Sequence, residues 1–281
     1  MPEHSNMKLA IQTTIQAMMD RVIDNVLVKD PFLKEEHRAK KPLYAALVPD
    51  EIFKNSHFER RFVTSFGRAW EKLALVAAKE GLGYGEAGRA ITGVIAEGRL
   101  RRISEVLNQL EHQEVSSKMR GDKRIQPDWS AELEYILAGG GESILTTIIC
   151  DVYAEDVRLN LRYAFELKAP LPNSDQTKVS KEKLLKLYAM EPRLIDEAYF
   201  ALPYNPYGKR ENYGWGFPAR WFNMKKDKVV LIGDEFWEKV GGSGTYQAFI
   251  DAVNDIGAEY KERIYREFLG IEPPADTGGM L

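Results

Sequence analysis

The sequence predicts an α/β protein with a helical N-terminal portion packed on it. Three observations lead there. Apolar residues recur at helical spacing through much of residues 8–114. A β-branched run and a strictly alternating run follow between 143 and 168. Beyond them, helical and strand-like stretches interleave up to about residue 270.

Element by element, KLAIQTTIQAMMDRVIDNVLV (8–28) reads as an amphipathic helix stopped by Asp30-Pro31. FVTSFGRAWEKLALVAAKEG gives a second helix ending at Gly81, and ITGVIAEGRLRRISEVLNQLEHQE a third. Polar SSKMRGDKRIQP separates them from WSAELEYILAGGGES, a short helix ended by three glycines. SILTTIICDVYA reads as a buried strand and VRLNLRYAFELK as a second. SKEKLLKLYAM is a helix with Ser180 as its expected N-cap. EAYFALPY and KVVLIG read as strands, and residues 234–270 as largely helical. The expected organisation is a single domain over 1–270, mainly helical to 125, with an α/β core over 126–270, a functional loop over 203–228 and a flexible tail over 271–281.

Composition removes several function classes. Cys150 is the only cysteine, which excludes a disulfide framework and a cysteine-based zinc site. No run of 18 apolar residues exists to span a membrane. The opening MPEHSNMKLA lacks the basic-then-apolar order of a secretion signal, so a cytoplasmic protein is expected. Net charge is −3, but residues 168–228 hold 12 Lys or Arg against 7 Asp or Glu. That local excess suits an anionic partner.

Most familiar motifs fail on context. GYGEAG contains the spacing of a dinucleotide fingerprint at Gly83, Gly85 and Gly88, but a helix precedes it where a strand is required, so a helix–helix turn is expected. His4, His37, His57 and His112 are scattered and form no metal pattern. The informative stretch is RYAFELKAPLPN. Val157, Leu159, Leu161, Tyr163, Phe165 and Leu167 alternate with Arg158, Asn160, Arg162, Ala164, Glu166 and Lys168. Period two puts Glu166 and Lys168 on one strand face. The only other E-x-K, Glu259–Lys261, is on a helix, where residues two apart diverge. A Mg²⁺ nuclease needs such a face: carboxylates for a hard cation and a lysine beside the attacking water, either stabilising hydroxide or accepting its proton. The competing reading is a strand-end ion pair worth little.

A second acid would stand on the neighbouring strand. A chain reversal near 158–159 sets Asp151 opposite Glu166. A tighter one at Ala154 would bring Glu142, and a turn at Leu161 would bring Asp156. Asp151 is preferred because it interrupts the apolar run IICDVY, where an unpaired carboxylate is costly.

Asp151 followed by Glu166-x-Lys168 resembles the PD-(D/E)xK nuclease superfamily. The ordered set ELKAPLPN, SKEKLLKL, NPYG and GDEFWEKVGGSGTYQAF resembles, more narrowly, type II restriction endonucleases of the TdeIII kind, over roughly residues 60–255. The resemblance implies a restriction-endonuclease-like mixed β-sheet core flanked by helices. It implies Asp151, Glu166 and Leu167 as Mg²⁺ ligands, Lys168 as the catalytic lysine, and a further glutamate from an early helix, here Glu71. It also implies a homodimer cutting double-stranded DNA at a target of the GGNCC kind, beside a cognate methyltransferase. Cys150 stands where the superfamily name has proline. A Pro-Asp does occur at Pro127-Asp128, but it lies 38 residues before Glu166 in a polar stretch.

Nine aromatic residues lie between Tyr199 and Phe222, in a segment too rich in Gly and Pro for a helix. Lys225, Lys226 and Lys228 are expected on phosphates. Asn205, Lys209, Arg210 and Arg220 are the candidates for base edges, with Asn173 and Lys178 as further DNA contacts. In the alternative, the aromatics cap the core. Two other readings are a repair or junction nuclease on the same fold and a non-catalytic DNA-binding protein.

Overall fold

Backbone hydrogen bonding at Asp156 determines how the sheet folds. Its Oδ1 accepts from the backbone N–H groups of Arg158 and Leu159 at 3.0 and 3.1 Å. Asn160 takes the left-handed conformation (φ 53°), which Asn tolerates better than most residues. The chain reverses there, joining strands β4 (Val152–Asp156) and β5 (Leu161–Leu167) antiparallel, with Val152 opposite Phe165 and Asp156 opposite Leu161.

The structure is a computed structural model that describes residues 2–120 and 125–274. Part of the expected polar separator (121–124) and residues 275–281 of the expected tail lie outside the described residues. The chain forms two compact units, residues 1–76 with 244–281, and residues 77–243. In the first, α1 (Pro2–Asp24) packs on α9 (Thr245–Arg263). Ile11, Ile15, Met18 and Val22 are buried along one stripe of α1. Tyr260 Oη donates to Asp20 at 2.8 Å, and Arg263 pairs with the same carboxylate. After the short helices α2 (Lys34–Lys40) and α3 (Pro42–Leu47), the long α4 (Asp50–Gly81) carries Phe58, Phe62, Phe66 and Trp70 at i, i+4, with consecutive rings 6.3, 5.2 and 4.8 Å apart. Among the described residues, no helix is long and apolar enough to cross a membrane.

The second unit is a mixed α/β layer structure. Its sheet has the order β1-β4-β5-β6-β7, with β1 (Gly83–Ala87), β6 (Glu197–Leu202) and β7 (Val230–Ile232). The first two pairings are antiparallel and the last two parallel. Helix α7 (Ser174–Ala189) makes the crossover from β5 to β6. One sheet face packs a core that includes Ala164, Ala198, Phe200, Leu184 and Phe222. On the other, Phe165 stacks with Tyr199 and meets Phe236 edge-on. Burial on both sides makes β5 nearly solvent-free, not half-exposed as its alternation predicts.

Several expectations change. Residues 91–96, read as helix, are strand β2 (Ala90–Ala96), and helix α5 (Glu97–Arg120) starts only after them. β2 pairs over its whole length with β3 (Ser143–Ile149) in a separate two-stranded ribbon, so a β-branched run finds a partner about 50 residues away. GYGEAG is no helix–helix turn; most of it is β1 on the sheet edge. SILTTIICDVYA is two strands broken at Cys150-Asp151, and its first half is not buried: Leu145 is 73% exposed. The lysine-rich helix begins two turns before Ser180. Asn173 is its N-cap, accepting from Gln176 N at 2.8 Å, and Ser180 is buried inside it. Helix α5 also runs into the expected separator as far as Arg120. Helices α6 (Trp129–Leu137) and α8 (Asp234–Gly241), β6 and β7 fall where they were read.

Two glycines give opposite expectations. A Cβ on Gly81 would lie 1.7 Å from the Gly241 carbonyl oxygen, a backbone atom that cannot move aside. Gly81→Ala is expected to destabilise the protein by about 3 kcal/mol. At Gly67, inside α4, a Cβ would meet nothing within 4 Å, so Gly67→Ala should stabilise by roughly 0.5–1 kcal/mol. Urea unfolding of the two variants checks both signs.

Candidate catalytic site

The hairpin register, extended by one step past Val152–Phe165, brings Asp151 beside Glu166. Asp151 sits where the chain leaves β3 and enters β4. There Cys150 N donates to Arg89 O and Gly88 N to Asp151 O, so the break is itself hydrogen-bonded. Asp151 Oδ2 accepts from Leu167 N at 2.9 Å and from Lys168 Nζ at 2.5 Å. Lys168 N donates to Ala201 O, continuing the parallel ladder for one residue and fixing the base of the lysine. Its Nζ also reaches Glu166 Oε2, at 3.5 Å.

A fourth charge completes the group. Lys183, from α7, donates to both oxygens of Glu166 at 2.9 and 3.0 Å and stands 3.9 Å from Asp151. Two carboxylates and two ammonium groups thus form one cluster. Glu166 is 1% exposed at its floor, while Asp151, Lys168 and Lys183 are 21%, 19% and 26% exposed. The cluster therefore opens to solvent on one side only.

Burial and the neighbouring Asp151 carboxylate push the Glu166 carboxyl up to about 7. For Lys168, burial alone would lower the pKa, but Asp151 and Glu166 outweigh it and raise it. Lys168 is accordingly an ammonium ion at neutral pH, which suits stabilising negative charge and not accepting a proton. Cys150, beneath Asp151, is pushed up to about 12 by burial and by Glu166, so it is an inert thiol.

The remaining predicted residues divide clearly. Glu71 is an exposed residue of α4 in the first unit, not in the unit that carries the cluster. Leu167 adds main chain alone, its N–H being committed to Asp151. Glu142 is exposed, Asp128 caps α6 through Ala131 N, and Asp156 caps the hairpin turn. Asn173 caps α7, and Lys178 pairs with Glu111 at 2.5 Å. Asn205 Oδ1 accepts from Tyr207 N in a local turn. Arg210 is tied into the fold by Met224 O, Asp227 O and Glu235. Arg220 is half-buried. Lys209, Lys225, Lys226 and Lys228 are exposed.

The aromatic loop caps the core with some of its residues and leaves others exposed. Tyr213, Trp221 and Phe222 are buried in the core, whereas Tyr204, Tyr207 and Phe217 face solvent. Tyr213 Oη donates to Pro170 O and Trp215 Nε1 to Pro172 O, both at 2.8 Å. The prolines after Lys168 thus offer carbonyls but no competing N–H groups, and the loop is laced to the chain leaving the cluster.

Sequence reasoning missed two lysines of α7. Lys183 was one of several in a lysine-rich helix, and only the crossover geometry aims it at Glu166. Lys181 is fully buried, pairing with Glu132 at 2.5 Å and donating to Trp221 O. Its signal was its place in the apolar stripe with Leu184 and Leu185.

Comparison with known proteins gives a consistent picture. The chain is similar to the type II restriction enzymes HgiCII and HgiEI of Herpetosiphon aurantiacus. It is 25% and 26% identical to them over 238 residues, covering 82% of this chain and 82% and 81% of theirs. A third enzyme of that organism, HgiBI, is 24% identical over 234 residues. The family model described as "Type II restriction endonuclease, HinfI" matches residues 7–257, from α1 through most of α9 and across the whole cluster. The chain belongs to the HinfI family of type II restriction endonucleases.

Proposed function

We propose that this protein hydrolyses phosphodiester bonds of double-stranded DNA at a specific sequence, by a Mg²⁺-dependent mechanism of the PD-(D/E)xK type centred on Asp151, Glu166 and Lys168. The observation that carries this reading is the convergence of two carboxylates and a charged lysine at one broken strand edge. A carboxylate pair in which one member is buried and made harder to ionise by the other is a place where a cation would relieve repulsion. The donor set fits a small hard cation. It is all oxygen, and among the described residues no third His, Cys, Asp or Glu converges there. Magnesium commonly keeps several waters and takes substrate phosphate oxygens, so two carboxylates with the Leu167 carbonyl suffice.

When bound, the cation would supply an acidified water and offset charge building on the phosphate. The chain's own residues do the rest. Asp151 fixes both Lys168 and the Leu167 main chain. Lys168, held protonated, presents an ammonium to the non-bridging oxygens as negative charge accumulates. Glu166, on the floor of the cluster, is held by Lys183 before any cation binds.

For the DNA, the exposed Lys225, Lys226 and Lys228 are assigned to phosphates. Asn205, Lys209 and Arg220 remain the candidates for base contact. Arg210 supports the loop from within, because its donors already have partners. Glu71 as an auxiliary acid, a homodimer acting on a two-fold symmetric target, a cognate methyltransferase and a cytoplasmic site of action belong to the same proposal. A GGNCC-like target rests on the TdeIII-type resemblance alone.

Purified protein should cut unmethylated phage DNA into discrete bands in Mg²⁺ and not in EDTA. Lys168→Ala should lower the rate by about 10³-fold or more while melting as a folded protein. Retained cleavage in that variant would remove Lys168 from the chemistry.

Glu166 gives a pH prediction without DNA. A carboxyl raised in the fold stabilises the folded state fully below its unfolded value, and that contribution is lost as pH rises through about 7. In EDTA, the melting temperature of the wild type relative to Glu166→Gln should therefore fall between pH 4.5 and 8. A flat difference would contradict the raised value.

A further inference from the structure

Lys183 lies outside the E-x-K pattern, yet it holds Glu166 more closely than Lys168 does. Its ammonium contacts both carboxylate oxygens within 3.0 Å, against a single contact of 3.5 Å from Lys168. It arrives from α7, whereas the other three charges sit on the hairpin and its ends. At 26% exposure it is also the most solvent-accessible of the four. A long flexible stem that reaches in from the open side can withdraw without repacking the core. Lys178 and Lys186 on the same helix have other carboxylates, Glu111 and Glu182. The carboxylates that Lys183 meets are the two candidate metal ligands.

We propose that Lys183 is the counter-cation of Glu166 in the cation-free enzyme, a positioning residue that must leave this carboxylate before a divalent cation takes it, and that its departure ties cation loading to the arrival of DNA. The proposal rests on the metal-dependent nuclease reading above. Its logic is charge balance. With both carboxylates ionised the quartet is neutral, and a dication added to it would leave two excess positive charges in a half-buried space, where they repel strongly. Withdrawal of Lys183 lowers that repulsion, and an incoming phosphate lowers it further by giving the freed ammonium an anion to meet. Cation and DNA then bind with positive coupling, and each raises the affinity of the other by the same factor. An enzyme built in this way holds Glu166 in place while idle and resists loading with metal away from its substrate.

The test uses Mn²⁺ as the probe, with binding to the full-length protein followed by electron paramagnetic resonance. Measurements are made without DNA and with a phosphorothioate duplex that resists hydrolysis. Without DNA, Lys183→Met should bind Mn²⁺ about tenfold more tightly than wild type, equivalent to about 1.4 kcal/mol. Lys183→Arg, which keeps the charge, and Lys186→Met, which removes a charge elsewhere on α7, should stay within about twofold of wild type. Adding the duplex should tighten Mn²⁺ binding by wild type and change Lys183→Met little. Thermal melts in EDTA should show Lys183→Met less stable than wild type, with saturating Mn²⁺ closing the gap. Should that variant fail to melt cooperatively, Lys183→Gln replaces it with the same expectations. Unchanged or weaker Mn²⁺ binding in the folded variant overturns the proposal and leaves the nuclease reading standing. Wild type that binds no Mn²⁺ with or without DNA overturns the metal-dependent reading, and this proposal with it.

Discussion

Glu166 is a carboxylate with 1% of its side chain exposed, and the second unit is arranged around that burial. An isolated charge so placed would cost several kcal/mol. The structure meets this with two lysines from different elements, one on the same strand and one across the helix crossover. Removing either would leave a buried charge under-compensated, which is more damaging than losing an exposed ion pair. The cluster is therefore a poor choice for stability and a good one for holding a carboxylate at a defined point.

That point is set at the far end of the hairpin, three of the four charges being positioned by one turn. The Asp156 carboxylate closes the reversal on Arg158 and Leu159, and every pairing down to Val152–Phe165 follows from it. A slip of one residue would move Asp151 away from Glu166 and reverse which side chains face each side of the sheet. Asp156 is thus an acidic residue with a structural duty, remote from the chemistry yet required for its geometry. Asn160 in the left-handed region and Arg158 on Gly81 O hold the same turn.

The legible and illegible parts of the sequence separate by range. The alternation from Val157 to Lys168 located β5, and the polar DVRLN located its turn, because both signals are local. Asp151 emerged from the same local reasoning through its place in an apolar run. β2 did not: ITGVIA lies directly before a strong helix, and its partner strand is far along the chain. β1 was hidden for the same reason, since its pairing to β4 spans about 70 residues. Lys183 was invisible because the side of a helix that faces a carboxylate is decided by how the crossover packs, not by the helix's own sequence. Lys181 and Lys183 are two residues apart and look alike in sequence, yet one ends in the core against Glu132 and the other at the cluster.

The aromatic loop and the charge cluster share a support. Its buried members, Tyr213, Trp221 and Phe222, pack into the core beneath α7. Its polar tips reach the Pro170 and Pro172 carbonyls and Ser174, immediately after Lys168. Lys181, on the helix that carries Lys183, donates to Trp221 O from the same core. Short, hydrogen-bonded connections thereby tie the loop that carries the exposed lysines and aromatics to both the strand end and the helix that hold the charge cluster. A loop anchored in this way can remain adjustable at Tyr207 and Phe217 while its base stays in register with Lys168 and Lys183. The physical link between the loop and the charge cluster runs through Pro170, Pro172 and α7, all within one compact unit.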